Sequence, residues 1–276
     1  MIPAAFDYVR AESAEHAVAL LGEHGDEAKL LAGGHSLLPM MKLRLAVPGV
    51  LVDLGRVADL SYVRDAGDHI AIGALTRHHD IETSELLHAE LPLLAHTASH
   101  VGDPQVRHRG TIGGSLAHSD PASDLPAALL ALDATLVATG PSGAREIPVA
   151  DFFTGYFESA LAEDEVLTEI RVPKLPGVGW SFQKFNRRAQ DWAIVGVAAV
   201  HGDGHTGIGL INMASTPLRA AASEAALASG ASPDDAAQQA DEGTDPSADL
   251  NASEEYRRHL ARVLVRRALA ECATRG

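Results

Sequence analysis

The sequence has one cysteine, Cys272, in 276 residues. A lone thiol excludes an internal disulfide. It also excludes an iron–sulfur cluster held by this chain by itself, which would need about four thiolates. Long apolar runs are missing too: none reaches the ~20 residues that a membrane-crossing helix takes. The start, Met1-Ile2-Pro3-Ala4-Ala5-Phe6-Asp7, lacks the basic opening and apolar run of a secretion signal, so a cytoplasmic protein is expected. Basic residues are scarce, 22 against 37 acidic ones, for a net charge of −15. Phosphate backbones and anionic lipid repel such a chain, which argues against nucleic acid and membrane surfaces as partners. Aromatics are only 4% of the residues, so Ala, Leu and Val must fill the cores.

Fourteen histidines invite a metal reading. However, His78 and His79 are adjacent and cannot share a helix face. His96 and His100 could share one, but no glutamate lies between them as in a zinc-protease helix. Surface or core roles are expected for these four, and no metal site is assigned.

The chain exceeds the ~100–150 residues typical of one domain, which favours two. A first helix is expected over 13–24, with Ala14, Ala17, Val18 and Leu21 on one stripe, Ser13 as cap and Gly25 as stop. Strands are expected at 29–31, 50–52, 69–72 and 134–139. Helices are expected after Ser36 as far as Leu43, over 92–101, and from Asp124 to Leu132. Asp124 is placed to cap the last of these, with Pro126 in its first turn. Residues 171–177, with two prolines, suggest a boundary. Strands at 180–186, 192–201 and 207–213 follow, then helices over 218–228 and 253–272, separated by an exposed acidic loop at 232–249. The class is α+β.

Two segments break this pattern: Ala32-Gly33-Gly34-His35-Ser36 and Thr111-Ile112-Gly113-Gly114-Ser115. Each sets a glycine pair directly after extended apolar chain. Paired glycines permit positive backbone angles and close approach of another molecule, and successive amides can converge on an anion. Neither segment is a dinucleotide-binding fingerprint or a Walker loop. The residues alone leave two readings open: plain tight turns, or a two-loop anion or nucleotide site.

The stretches LLAGGHSLLPMMKLRLAVP (30–48), QVRHRGTIGGSLAHSDPASDLPAALLAL (105–132) and SFQKFNRRAQDWAIVGVAA (181–199) resemble, in order, the FAD-binding medium subunits of the carbon monoxide dehydrogenase and xanthine dehydrogenase family of molybdenum hydroxylases. The resemblance implies an α+β, two-domain protein. Residues 1–176 would be a PCMH-type FAD domain like that of vanillyl-alcohol oxidase, and 177–276 a smaller α/β C-terminal domain of the carbon monoxide dehydrogenase flavoprotein. It implies noncovalent FAD between them. Leu31, Ala32, Gly33, Gly34, His35, Ser36 and Leu37 would form one cofactor loop, and Thr111, Ile112, Gly113, Gly114 and Ser115 the other. Asp124 would lie on the adenosine side, and Leu161 and Lys184 at the flavin end; Val101 and Trp192 complete the cofactor set. The residues alone leave Asp124 as a helix cap, Lys184 as an exposed side chain and Trp192 as a core aromatic. Two departures stand out. Ser115 replaces the asparagine of many relatives, and Trp192 replaces a tyrosine.

The resemblance further implies an oxidoreductase subunit with no catalytic acid, base or nucleophile of its own. The molybdenum cofactor would lie in a large partner subunit and two [2Fe–2S] clusters in a small one, the whole assembled as a dimer of heterotrimers. Electrons would pass from the clusters through FAD to an external acceptor. Three other readings compete: a self-contained flavin oxidase with FAD attached through the histidine of Gly33-Gly34-His35, an NADPH-dependent cell-wall reductase, and a nonenzymatic nucleotide-binding module.

Overall fold

The computed structural model describes residues 2–275. The chain opens with β1 (Asp7–Arg10), α1 (Ala14–His24), β2 (Ala28–Leu31), α2 (Leu37–Lys42) and β3 (Val50–Asp53). The three strands form a parallel sheet in the order β1-β3-β2. Helix α1 starts where expected, with the Ser13 hydroxyl accepting from the His16 amide at 3.1 Å, and Gly25 ends it at φ 54°. Its Ala17, Val18, Leu20 and Leu21 are buried against Val50 and Val52.

Next come β4 (Val63–Asp65), β5 (His69–Gly73), α3 (His78–Thr83), α4 (Glu85–Glu90), α5 (Pro92–Ser99), α6 (Pro104–Arg107), α7 (Ile112–His118) and α8 (Asp124–Ala131). They are followed by β6 (Thr135–Gly140), β7 (Gly143–Pro148), β8 (Phe153–Gly155), β9 (Glu158–Ser159) and β10 (Val166–Pro173). Strands β4, β5, β10, β6 and β7 make a five-stranded antiparallel sheet in that order. The expected boundary at 171–177 begins too early. Val172 pairs with Ile70 and Pro173 with His69, so the ladder of β10 extends through the first proline.

The last part contains β11 (Gly179–Phe185), β12 (Val195–Gly202), β13 (His205–Ile211), β14 (Leu218–Arg219), α9 (Ala221–Ala228), α10 (Pro233–Ala237) and α11 (Glu254–Arg275). Its four strands form an antiparallel meander, and α11 buries Leu260, Leu264, Ala268 and Cys272 against it. The acidic segment 232–249 is not wholly an exposed loop. Ala236, Ala237 and Ala240 are fully buried, because small side chains let α10 lie close to its neighbours.

Helix α8 shows why an Ala/Leu run need not be amphipathic. All eight of its residues are buried, as an apolar-all-round helix must be. One side meets the first part of the chain. On the other, Gly207 and Gly209 of β13 come so close that a Cβ on either would strike the carbonyls of Ala131 and Ala127. The seam is a continuous core: Leu129 and Ile170 share a cluster with Phe182, Ala198 and Ile211.

Candidate functional site

The two glycine segments meet in space. A Cβ on Gly33 would stand 2.8 Å from the Gly110 Cα, and one on Gly114 3.8 Å from the Ala32 Cβ. Their local structures differ. In the first, β2 ends at Leu31, Gly34 takes φ +76°, and α2 begins at Leu37. Ser36 precedes that helix without a side-chain cap bond. The amides of Gly33, Gly34, His35 and Ser36 donate to no acceptor among the described residues. Free successive amides are what an anion-binding turn provides.

The second segment corrects the expectation of a positive-φ turn. Thr111 is the N-cap of α7, and Ile112 to Ser115 form its first turn. Neither Gly113 nor Gly114 has positive φ. The amides here are already used. Ile112 donates to Thr76 O at 3.1 Å, Gly113 to Ala74 O at 2.8 Å, Gly114 to Thr111 Oγ1 at 3.1 Å and Ser115 to Thr111 O at 3.0 Å. Glycine is needed at 113 for proximity, since a Cβ would lie 2.6 Å from the Ala74 Cβ. At Gly114 a Cβ would meet the Thr111 Oγ1 at 2.7 Å, on the side that faces Ala32.

Asp124 does not cap α8. Ser123 holds the cap position, and Asp124 is the first helical residue. Its Oδ2 accepts from Lys184 Nζ at 2.7 Å, and the same ammonium donates to the His100 carbonyl at 3.0 Å. Both side chains are buried, 5% exposed for Lys184 and 6% for Asp124, so Lys184 is not an ordinary surface lysine. Burial pushes the Asp124 carboxyl up to about 6, against the opposing pull of the Lys184 charge. Its second oxygen, Oδ1, is buried without a partner. An unpartnered buried acceptor costs free energy and fits a hydroxyl or N–H of a bound molecule. The ion pair joins two residues that the resemblance assigned to different ends of the cofactor.

Val101 follows the carbonyl that Lys184 holds. Leu161 follows β9 and packs partly buried against the main core. Trp192 is 68% exposed, which overturns the core-aromatic reading. It stands on the β11–β12 connection, whose end is tied down by Asn212 Nδ2 donating to Ala193 O at 3.0 Å. His35 is exposed.

Among the histidines, His78 is buried beneath Gly110, and burial lowers its pKa to about 4. His96 and His100 lie 4.6 Å apart, between ring centroids, at the end of α5. Among the described residues no group of three His, Cys, Asp or Glu could hold a metal ion, and no helix is long and apolar enough to cross a membrane. Cys272 is buried, which pushes its thiol up to about 12.

Sequence reasoning missed four arginines, Arg10, Arg56, Arg77 and Arg109, which line a cavity beside the first loop. Only Arg109 had a local signal, in the polar Arg107-His108-Arg109 run. The other three come from separate elements and share no spacing.

A family model described as the FAD binding domain in molybdopterin dehydrogenase matches residues 4–175. A second, the CO dehydrogenase flavoprotein C-terminal domain, matches residues 180–272. The chain is 43% identical to the carbon monoxide dehydrogenase medium chain of Hydrogenophaga pseudoflava, over 99% of this chain and 100% of that one. It is 42% identical to the 6-hydroxypseudooxynicotine dehydrogenase complex subunit alpha of Paenarthrobacter nicotinovorans, over 100% of this chain and 97% of that one. A solved structure of the Hydrogenophaga pseudoflava carbon monoxide dehydrogenase, in a form lacking the Mo-pyranopterin moiety, contains a chain that superposes with a TM-score of 0.96 at 45% identity. That match covers 100% of this chain and 99% of the other.

Proposed function

This chain belongs to the family of FAD-binding medium chains of carbon monoxide dehydrogenase-like molybdenum hydroxylases, and from that premise we propose how its residues serve an electron-transfer subunit. Residues 1–176 form the FAD domain and 177–276 the C-terminal domain, with the cofactor between them. FAD supplies the redox chemistry when bound, accepting electrons and passing them on; the protein supplies binding, orientation and electrostatic setting.

The observation that carries this reading is the run of four free amides from Gly33 to Ser36. They can hold a diphosphate in a chain whose net charge of −15 would otherwise repel one. Gly114 keeps the neighbouring wall low. Leu31, Ala32 and Leu37 bracket the first loop, and Thr111, Ile112, Gly113 and Ser115 brace the second. Lys184 and the free Oδ1 of Asp124 address polar atoms at the flavin end, with Val101 and Leu161 as apolar contacts there. Exposed Trp192 can close over a flavin face.

In the assembly, [2Fe–2S] clusters of a small partner subunit and a molybdenum cofactor in a large one would supply the electrons, and an external acceptor would take them. The single cysteine, buried against the core, cannot ligate a cluster. The assembly is a dimer of heterotrimers that works in the cytoplasm. Relatives come from dehydrogenases of unlike substrates, so substrate choice belongs to the large subunit. FAD is held noncovalently, and His35 is not its anchor. Denaturing the purified chain should release a yellow compound of FAD's mass. Flavin that stays on the polypeptide would replace this reading with the covalent oxidase. Coexpression with the two partner subunits and sizing of the product tests the assembly.

A further inference from the structure

Strand β11 passes to β12 through residues 186–194, and this connection has two unlike parts. The first, 186–191, is polar and held by contacts at the surface. Arg188 Nε donates to Asp191 Oδ2 at 3.0 Å, the Asp191 amide to the Arg188 carbonyl at 3.0 Å, and Arg187 to Asn251 Oδ1 at 3.3 Å. A segment with few buried contacts opens easily. The second part is anchored. Ala193 and Ile194 are buried, and the Ile194 amide donates to the Phe185 carbonyl at 2.7 Å. Trp192 stands at the border, exposed, one residue before the anchor begins.

The anchor's carbonyls are met by Asn212. Its Nδ2 donates to Ala193 O at 3.0 Å and to Ile194 O at 3.4 Å. The Ile194 carbonyl also accepts from Arg257, a buried residue of α11 whose guanidinium pairs with Asp249 at 2.8 Å. The backbone amide of Asn212 donates to the Pro121 carbonyl at 2.8 Å, in the segment between α7 and α8. Asn212 thus touches both parts of the molecule. Its backbone lies at φ +62°, a left-handed conformation that asparagine tolerates and glycine adopts freely. Glycine would therefore serve the turn at least as well. The side-chain amide is what asparagine adds, and both of its hydrogen bonds among the described residues go to the backbone next to Trp192.

An indole covers a ring steadily only if its own backbone is fixed. The loose residues before Trp192 cannot fix it, so its place must be set from the other side. We infer that Asn212 is a positioning residue for Trp192, holding the Ala193-Ile194 backbone so that the indole stays over the flavin. This inference rests on the reading of Trp192 above and adds the residue, distant in sequence, that makes that side chain effective. Through the bond to Pro121, the indole is referred to the FAD domain as well as to its own strand.

Two variants test it in the full chain loaded with FAD. Asn212→Gly keeps the left-handed backbone and deletes the amide. Asn212→Asp keeps the shape but turns an acceptor toward two carbonyls. Flavin emission and its quenching by iodide are read. Loss of one hydrogen bond of ordinary net strength multiplies the displaced population about fivefold. Both readings should therefore rise, part of the way to those of Trp192→Ala. In a Trp192→Ala background the same substitutions should change neither, the sign of two residues acting through one contact. A merely structural role would lower the melting temperature and leave the emission where it was.

The inference is overturned if the FAD-loaded variants keep the emission of the unaltered chain, or if the rise persists without Trp192. It is also overturned if neither variant holds FAD, since a residue that positions one side chain should leave the cofactor bound. Should Asn212→Gly fail to fold, Asn212→Asp decides. If Trp192→Ala itself leaves the emission unchanged, the reading of Trp192 falls and takes this inference with it. A rise for Trp192→Ala with none for the Asn212 variants removes this inference alone.

Discussion

The two glycine loops look alike as sequence and do different work. At Gly33-Gly34, one glycine lets the chain pass close to Gly110 and the other supplies a left-handed turn, with free amides from Gly33 through Ser36. At Gly113-Gly114 the backbone is helical and every amide from Ile112 to Ser115 is already bonded. The first loop leaves its amides open, whereas the second spends them on joining elements of the fold. A glycine pair therefore says that side chains are excluded; it does not say by what.

The comparison can be tested by asking which changes injure the fold and which injure only binding. The largest effect is expected at the buried pair on the chain after the second loop. Lys184→Met strands the Asp124 carboxylate and should cost about 3–5 kcal/mol at pH 8 in the flavin-free chain. The Asp124 carboxyl already has a folded value of about 6, above its ordinary 3.8, so the folded state takes up a proton as pH falls through that range. Removing the lysine charge raises the value further. A neutral carboxyl lacks the penalty, so the loss should shrink by pH 5. Denaturant unfolding at the two pH values would show it; equal losses would mean that the pair is not the cause.

Gly113→Val should come next. Its Cβ would meet the Ala74 Cβ and carbonyl at 2.6 and 2.7 Å. Backbone cannot move aside cheaply, so about 3 kcal/mol is expected, seen as a lowered melting temperature without any flavin present. If the variant melts normally but loses FAD, the second loop is a ligand site after all.

Gly34→Ala should do the reverse. The left-handed backbone at φ +76° costs a side chain about 1 kcal/mol, while FAD retention should fall at least tenfold as the amides shift. Unchanged retention, measured by fluorescence titration, would deny the first loop its role. The smallest effect on the fold is expected for Trp192→Ala, under about 0.5 kcal/mol for a side chain that is 68% exposed. Flavin emission should nevertheless rise if the indole lies against the ring; an unchanged emission spectrum would leave Trp192 without a part in the site.

Much of this was legible in the residues themselves. The α1 stripe, the Ser13 cap, the strand runs and the Ala/Leu helix near Pro126 follow from periodicity and local hydrogen bonding, which act over a few neighbours. So did the two glycine segments, and their order along the chain pointed to the family. Composition settled that one thiol cannot hold a cluster. Tertiary structure decided what depends on distant partners. Asp124 meets Lys184, 60 residues away, rather than capping its own helix, because the packing of distant elements brings the two side chains together in the interior. Trp192 came out of the core because its connection runs along the surface. The four arginines converge only because three parallel strands end at one edge, and no local pattern can announce a charge cluster assembled from positions 10 to 109.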